Sequence, residues 1–334
     1  MREIPNFAEL GAIPKELLED LVRISAEQQA SRDERNSSNQ DVIESQFADG
    51  FKLLGMASSL AASIGETLRT RWFEEYAGQD GETITSAYDD SISDKRLYQL
   101  MLILLHAKAC TIAEEVRLLL ASGFEGAVEA RLRALHECLV FSLLVARDSS
   151  GQLAVRLHDS AALKRWEFLK FCERYSITAY WGKVDKQEME ELDRDRRLVI
   201  KKWGERLRED YEWARPATSK APKEQINLVD LEIAVGLRER RAIYKFFSHG
   251  VHITSTRVVD HFYNGFQYGA SFPAGAPFLI LTCLTALSDI TLVTSTALAI
   301  PLQAEGQVRI ARGIEFLRVF FESDDTSVEE PDGQ

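Results

Sequence analysis

The chain has 334 residues, long enough to bury a large core in one or two domains. Hydrophobic residues make up 45% and charged residues 28%, and 8 prolines with 19 glycines are too few for a strand-rich fold built on tight turns. A formal net charge of -12 excludes bulk electrostatic attraction to nucleic acid or an anionic membrane, so a nucleic-acid role needs a local basic stripe.

Apolar periodicity predicts helices along the whole chain. The first runs from Pro14 to about Ala30 and ends in the polar run Ser31–Gln40. A long helix follows from Asp41 to about Tyr76. Its middle holds Gly55, Ala57, Ser58, Ser59, Ala61 and Ala62, small residues suited to close packing on a neighbouring helix or a second subunit. Ala77–Asp94 reads as a loop. Helices at Lys95–Ala121 and Glu125–Asp148, separated by Ser122 and Gly123, form an antiparallel hairpin. Gly151–Tyr175 is amphipathic, and Asp185 to about Tyr211 is so charged that it reads as a solvated outer helix. Trp213–Asn227, with Pro216 and Pro222, reads as a surface loop. A short helix at Asp230–Val235 breaks at Gly236, and a helix from Arg238 to about Val251 follows. Val258–Gly275 reads as a loop or lid, Phe278–Ile300 and Glu305–Phe321 as helices, and Ser323–Gln334 as an acidic, disordered tail.

The fold class is therefore all-α, a multi-helix bundle of about nine to eleven helices. Residues 1–94 form an N-terminal helical extension, 95–322 the main domain and 323–334 the tail. The apolar run Phe278–Ile300 is long enough to span a bilayer, but Asp289 near its middle is costly in lipid, so it reads as a buried core helix. Cys110, Cys138, Cys172 and Cys283 are far apart and read as reduced thiols. The first residues carry no cationic segment followed by an apolar run. The expectation is a cytoplasmic protein with no membrane association and no cofactor.

Two stretches gather ionisable groups on helical faces. In the first, Glu129, Arg133 and His136 share one face and can touch, with Glu137 at its edge. In the second, Arg238, Arg241, Lys245, His249 and His252 form a single stripe beside Ser248, while Ile243, Phe246 and Phe247 cover the other side. Arg238 and Arg241 fit a solvated face equally well. Such a gathering is costly to desolvate, so it is either a fully paired polar network or a site of chemistry.

These residues resemble a bacterial family of unknown function, DUF family 5677. The run Gly123–Glu137, which contains Arg131, Arg133, Leu135, His136 and Glu137, is similar to its G-[FY]-x-x-[GA]-A…R-x-R-T-L-H-E helix, with Ala134 in place of the threonine. Tyr244–His252 is similar to its Y-K-x-x-S-H-x-V-H stretch, and Asp210–Ala214 to its D-Y-x-W-A element. The resemblance spans about Leu97 to Ile300. It implies an all-helical fold and marks the motifs without supplying a reaction.

A weaker resemblance is to the HEPN superfamily of helical toxins and defence nucleases, whose R-x(4–6)-H motif cleaves RNA without a metal. Arg131 and His136 match that spacing, yet residues five apart point about 140° from each other on a continuous helix. Lys245 and His252 share a face, with lysine replacing arginine. The sharper expectation is a composite ribonuclease site. His136 or His252 acts as base, Arg133 and Lys245 hold the phosphate, His249 orients its neighbour or serves as acid, and Glu137 completes the cluster. RNA is the expected substrate, and a homodimer or a partner protein of a toxin or antiphage system the expected assembly. A zinc or iron site on His136, His249 and His252 with Glu137 or Glu129 is the weaker option, because Arg133 and Lys245 repel a cation. The competing reading is a non-catalytic helical scaffold whose cluster only holds helices in register.

Overall fold

The computed structural model describes residues 40–80, 94–175, 186–248 and 275–298, with isolated positions at 23, 34, 37 and 38. Apart from Arg23, Glu34, Ser37, Ser38, Gln40 and Gly275, the segments expected at Pro14–Gln40, Val258–Gly275, Glu305–Phe321 and Ser323–Gln334 lie outside the described residues. Among the described residues the fold is all-α, with no strand. The α-helices are α1 (Ala48–Asp80), α2 (Asp94–Ala121), α3 (Glu125–Arg147), α4 (Gln152–Arg174), α5 (Lys186–Trp203), α6 (Leu228–Ala234), α7 (Arg241–Ser248) and α8 (Ala276–Ala297).

The hairpin of α2 and α3 is the spine. Gly123 sits at φ 74°, a left-handed conformation suited to glycine, and reverses the chain between them. The register is antiparallel. Tyr98, early in α2, donates to the Ala146 carbonyl late in α3, while Glu115 and Arg131 pair near the turn at 3.2 Å. Helices α1 and α8 pack on this hairpin and on each other. Leu54 and Ala61 of α1, Ile112 and Val116 of α2, Leu132 and Leu135 of α3, and Leu279 and Ile290 of α8 join in one buried cluster. A second cluster lies toward the start of α2 and the end of α3, where Leu102, Val140 and Val145 meet Leu153 and Leu163 of α4, Val199 of α5 and Leu231 of α6.

Within the small-residue stripe of α1, Ser58 and Ala61 are buried in the bundle, and two glycines flanking the stripe approach neighbouring helices closely. A Cβ at Gly65 would stand 3.0 Å from His106 Nδ1, and one at Gly50 would stand 2.9 Å from the Ile280 side chain. Gly55 faces open space. α1 runs on to Asp80, four residues past the expected end at Tyr76.

Helices α2 and α8 are long and apolar enough to cross a membrane by length and composition alone. In α8 Leu279, Ile280, Cys283 and Ile290 are buried within the bundle, and Asp289 pairs with Arg240 at 2.9 Å. The four cysteines are free thiols, and burial pushes those of Cys110 and Cys138 up to about 11.

The expected surface loop at Trp213–Asn227 is exposed over most of its length but is anchored in the core at both ends. Trp213, Ala214 and Ile226 are buried, the first two inside a 3-10 turn at Glu212–Ala217. Burial is permitted because polar groups there find partners. Arg156 of α4 donates to the carbonyls of Glu212 and Trp213 at 3.0 and 2.9 Å, and Arg215 clamps the Glu212 carboxylate. Trp213 then packs edge-on against Phe141, with ring centroids 4.9 Å apart. Composition marks the two prolines but not the arginine that arrives from a distant helix.

His106 of α2 is fully buried where α1, α2 and α8 meet, with Nε2 3.2 Å from the Thr291 hydroxyl and Nδ1 3.8 Å from Cys110 Sγ. Burial holds its pKa down to about 4 from the ordinary 6.5. The unfolded chain therefore binds a proton that the folded chain refuses. This stabilisation is fully present above pH 6.5 and is lost as pH falls toward 4. About 3 kcal/mol should disappear across that window. Urea unfolding at pH 7 and pH 4.5 checks this, and His106→Leu should flatten the difference; an unchanged slope in the variant would rule the assignment out.

Candidate functional site

Three elements build the site: α3, the short α6 and α7. α6 has seven residues, so its ends must be fixed from outside its own ladder. Asn227 and Asp230 form a capping box, the Asn227 side chain accepting from the Asp230 amide and the Asp230 carboxylate from the Asn227 amide. Gly236, at φ 74°, closes the other end, with its amide on the Ile233 carbonyl and the Leu237 amide on the Glu232 carbonyl. So anchored, α6 turns Leu228, Leu231 and Glu232 into the core.

Glu232 is 0% exposed, a carboxylate that must be paired to exist there. His136 of α3 places Nε2 3.0 Å from its Oε1, and Arg241 at the start of α7 donates from Nη1 to Oε2 at 3.0 Å. Arg241 brings a full positive charge to the same carboxylate. In the tautomer that donates from Nε2 to Glu232, Nδ1 is the acceptor of a neutral imidazole.

Beside this triad stands a second one. Tyr244 of α7 donates its hydroxyl to Glu137 Oε1 at 3.0 Å and accepts from Arg133 Nε at 2.8 Å, while Arg133 also lies 3.5 Å from Glu137. The Arg133 guanidinium carbon is 5.1 Å from the Tyr244 ring centre, and the His136 and Tyr244 rings are 5.3 Å apart. Burial, and then the adjacent Glu137 charge, push the Tyr244 phenol far up, so it keeps its proton and donates.

The structure thus brings together Arg133, His136 and Glu137 from the first stretch with Arg241 and Tyr244 from the second. Of the two carboxylates within reach of Arg133 on α3, Glu137 forms the ion pair, and Tyr244 takes the hydrogen bond. Glu129 is buried one turn earlier. Lys245, the residue after Tyr244, is exposed and stands outside these contacts; His249 and His252 lie outside the described residues. Arg131 turns away to Glu115, as the helical wheel requires. Arg238 is exposed, whereas Arg241 is taken by Glu232 instead of water. Among the described residues no three His, Cys, Asp or Glu gather as a metal site.

Sequence reasoning passed over Glu232. Its signal is that Leu228, Leu231 and Val235 outline an apolar face, and a carboxylate on that face needs a partner.

The cluster faces a chamber of about 190 Å³ between α3, α7 and α8, where Leu132, Leu139, Phe247 and Phe278 surround His136 and Tyr244.

A family model matches residues 99–265, half of the chain and all of the cluster. The chain belongs to DUF5677, a family of unknown function. The match starts two residues after the expected Leu97 and stops before the expected limit at Ile300, so α1 and α8 of this DUF5677 protein lie outside it. No curated protein and no solved structure matches the chain.

Removing one partner of a buried pair leaves the other charge stranded. Arg241→Ala should destabilise the protein by about 2 kcal/mol, below the fully buried range because Arg241 is 29% exposed. In a double-mutant cycle with Glu232→Gln, a coupling of about 1 kcal/mol or more is expected in denaturant unfolding. Strict additivity would show that the pair carries no energy.

Proposed function

We propose that this chain is a metal-independent ribonuclease of HEPN-like type, a toxin or defence effector acting through the cluster between α3, α6 and α7. One observation carries the reading. His136 is oriented by a buried carboxylate whose charge Arg241 already balances, which leaves Nδ1 as a proton acceptor beside a chamber. A base held this way is suited to taking the proton of a ribose 2′-hydroxyl. Arg133, in the neighbouring triad on α3, is the group for the developing phosphate charge, and Tyr244 fixes its orientation. Lys245 and the histidines at 249 and 252 supply the remaining phosphate contact and the acid. RNA is the substrate, and the conflict setting rests on the HEPN analogy alone.

A second reading is favoured by a different observation: every charged head group named in the two triads is paired. A closed network of this kind holds three helices in register without chemistry, as in a helical interaction protein.

The two readings separate on two measurements. Cleavage of a single-stranded RNA by the purified chain, with chelator present, should fall about 100-fold or more in His136→Ala. Arg133→Lys, which keeps charge but loses the fork, should cut the rate while leaving the melting temperature within a few degrees of wild type. If the wild-type chain leaves RNA intact and both variants only lower the melting temperature, the cluster is structural and the nuclease reading fails.

A further inference from the structure

The chamber beside His136 has a lining that selects a ligand class. Its walls are Leu132, Leu139, Ile243, Phe247, Leu281 and Ala286, with Phe278, 42% exposed, at the rim. Its polar members are mostly engaged elsewhere. The Thr282 and Thr285 hydroxyls donate to the carbonyls of Phe278 and Leu281, the Tyr244 hydroxyl is shared by Glu137 and Arg133, and Arg240 is held by Asp289. His136 is the exception. It is 9% exposed, and its Nδ1 has no hydrogen-bond partner among the described residues.

The volume is about 190 Å³. An apolar cavity of about 150 Å³ is known to take benzene, so this one holds a single ring with a small substituent. A wholly apolar ring would cover Nδ1 without pairing it, while a ligand with a donor would pair it. A charged group is disfavoured, because among the described residues no side chain lining the chamber has an unshared charge to offer.

We infer that the chamber binds one single-ring aromatic molecule carrying an O–H or N–H donor, the ring against Phe247 and Phe278 and the donor on His136. Phenol and a pyrimidine nucleobase share that chemistry. The inference goes beyond the nuclease reading and holds whether or not the chain cuts RNA.

The test titrates the wild-type chain, labelled with nitrogen-15 at histidine, with phenol, benzene and uridine, followed by calorimetry and NMR. Phenol should bind about fivefold tighter than benzene, the value of one hydrogen bond, and should shift the Nδ1 resonance of His136. His136→Leu should abolish that preference and retain benzene. Thr285→Phe, which fills the chamber, should lose both ligands. Phe278→Ala, at the exposed rim, replaces it if that variant does not fold, and should weaken phenol at least fivefold. Binding of uridine identifies the natural ring as a nucleobase, and phenol without uridine identifies a free small aromatic. No binding of phenol or uridine, or phenol binding unaltered by the chamber variants, overturns the inference.

Discussion

The buried carboxylate of Glu232 is the constraint around which this part of the molecule is arranged. A lone charge without solvent would cost several kcal/mol and would instead take up a proton or expel the helix that carries it. His136 and Arg241 meet its two oxygens from separate elements. α3, α6 and α7 are therefore tied at one point, and each must hold its own register for that point to exist. The two caps of α6 follow from the same demand, since a seven-residue helix would not otherwise present Glu232 at a fixed angle.

The second triad repeats this logic under less severe burial. Arg133 and Glu137 lie one turn apart on α3, a spacing that pairs them weakly even in an isolated helix. Tyr244 converts that local pair into a tertiary one by standing between them, donating to one and accepting from the other. Because α7 supplies both Arg241 and Tyr244, a single short helix locks both triads. Its other face sends Phe247 into the main core, so apolar packing and polar pairing position it together.

Away from the cluster, close helix approach governs the bundle. Gly50 and Gly65 bring α1 against α8 and α2, and His106 fills the space that a larger residue at position 65 would occupy. Among the described residues two histidines are buried, in contrasting settings. His106 sits beside a hydroxyl and a thiol and is kept neutral by desolvation, while His136 rests on a carboxylate next to open space. Of these two settings, only that of His136 lines the chamber.

Local patterning along the chain determined the helical class, the α2–α3 hairpin with its break at Gly123, the extents of α4 and α6 to within a residue or two, and the shared face of Arg133 and His136. These are legible because helix periodicity, caps and glycine breaks act over a few residues. Tertiary structure decided the partners. The pairing of His136 with Glu232 joins residues 96 positions apart, and that of Arg133 with Tyr244 joins residues 111 apart. The burial of Trp213 depends on Arg156 of another helix. No periodicity encodes such meetings, because a wheel shows which way a side chain points and not what stands opposite it. Glu232 came closest to being readable, as a carboxylate on an apolar face; naming its partners required the helices to be packed.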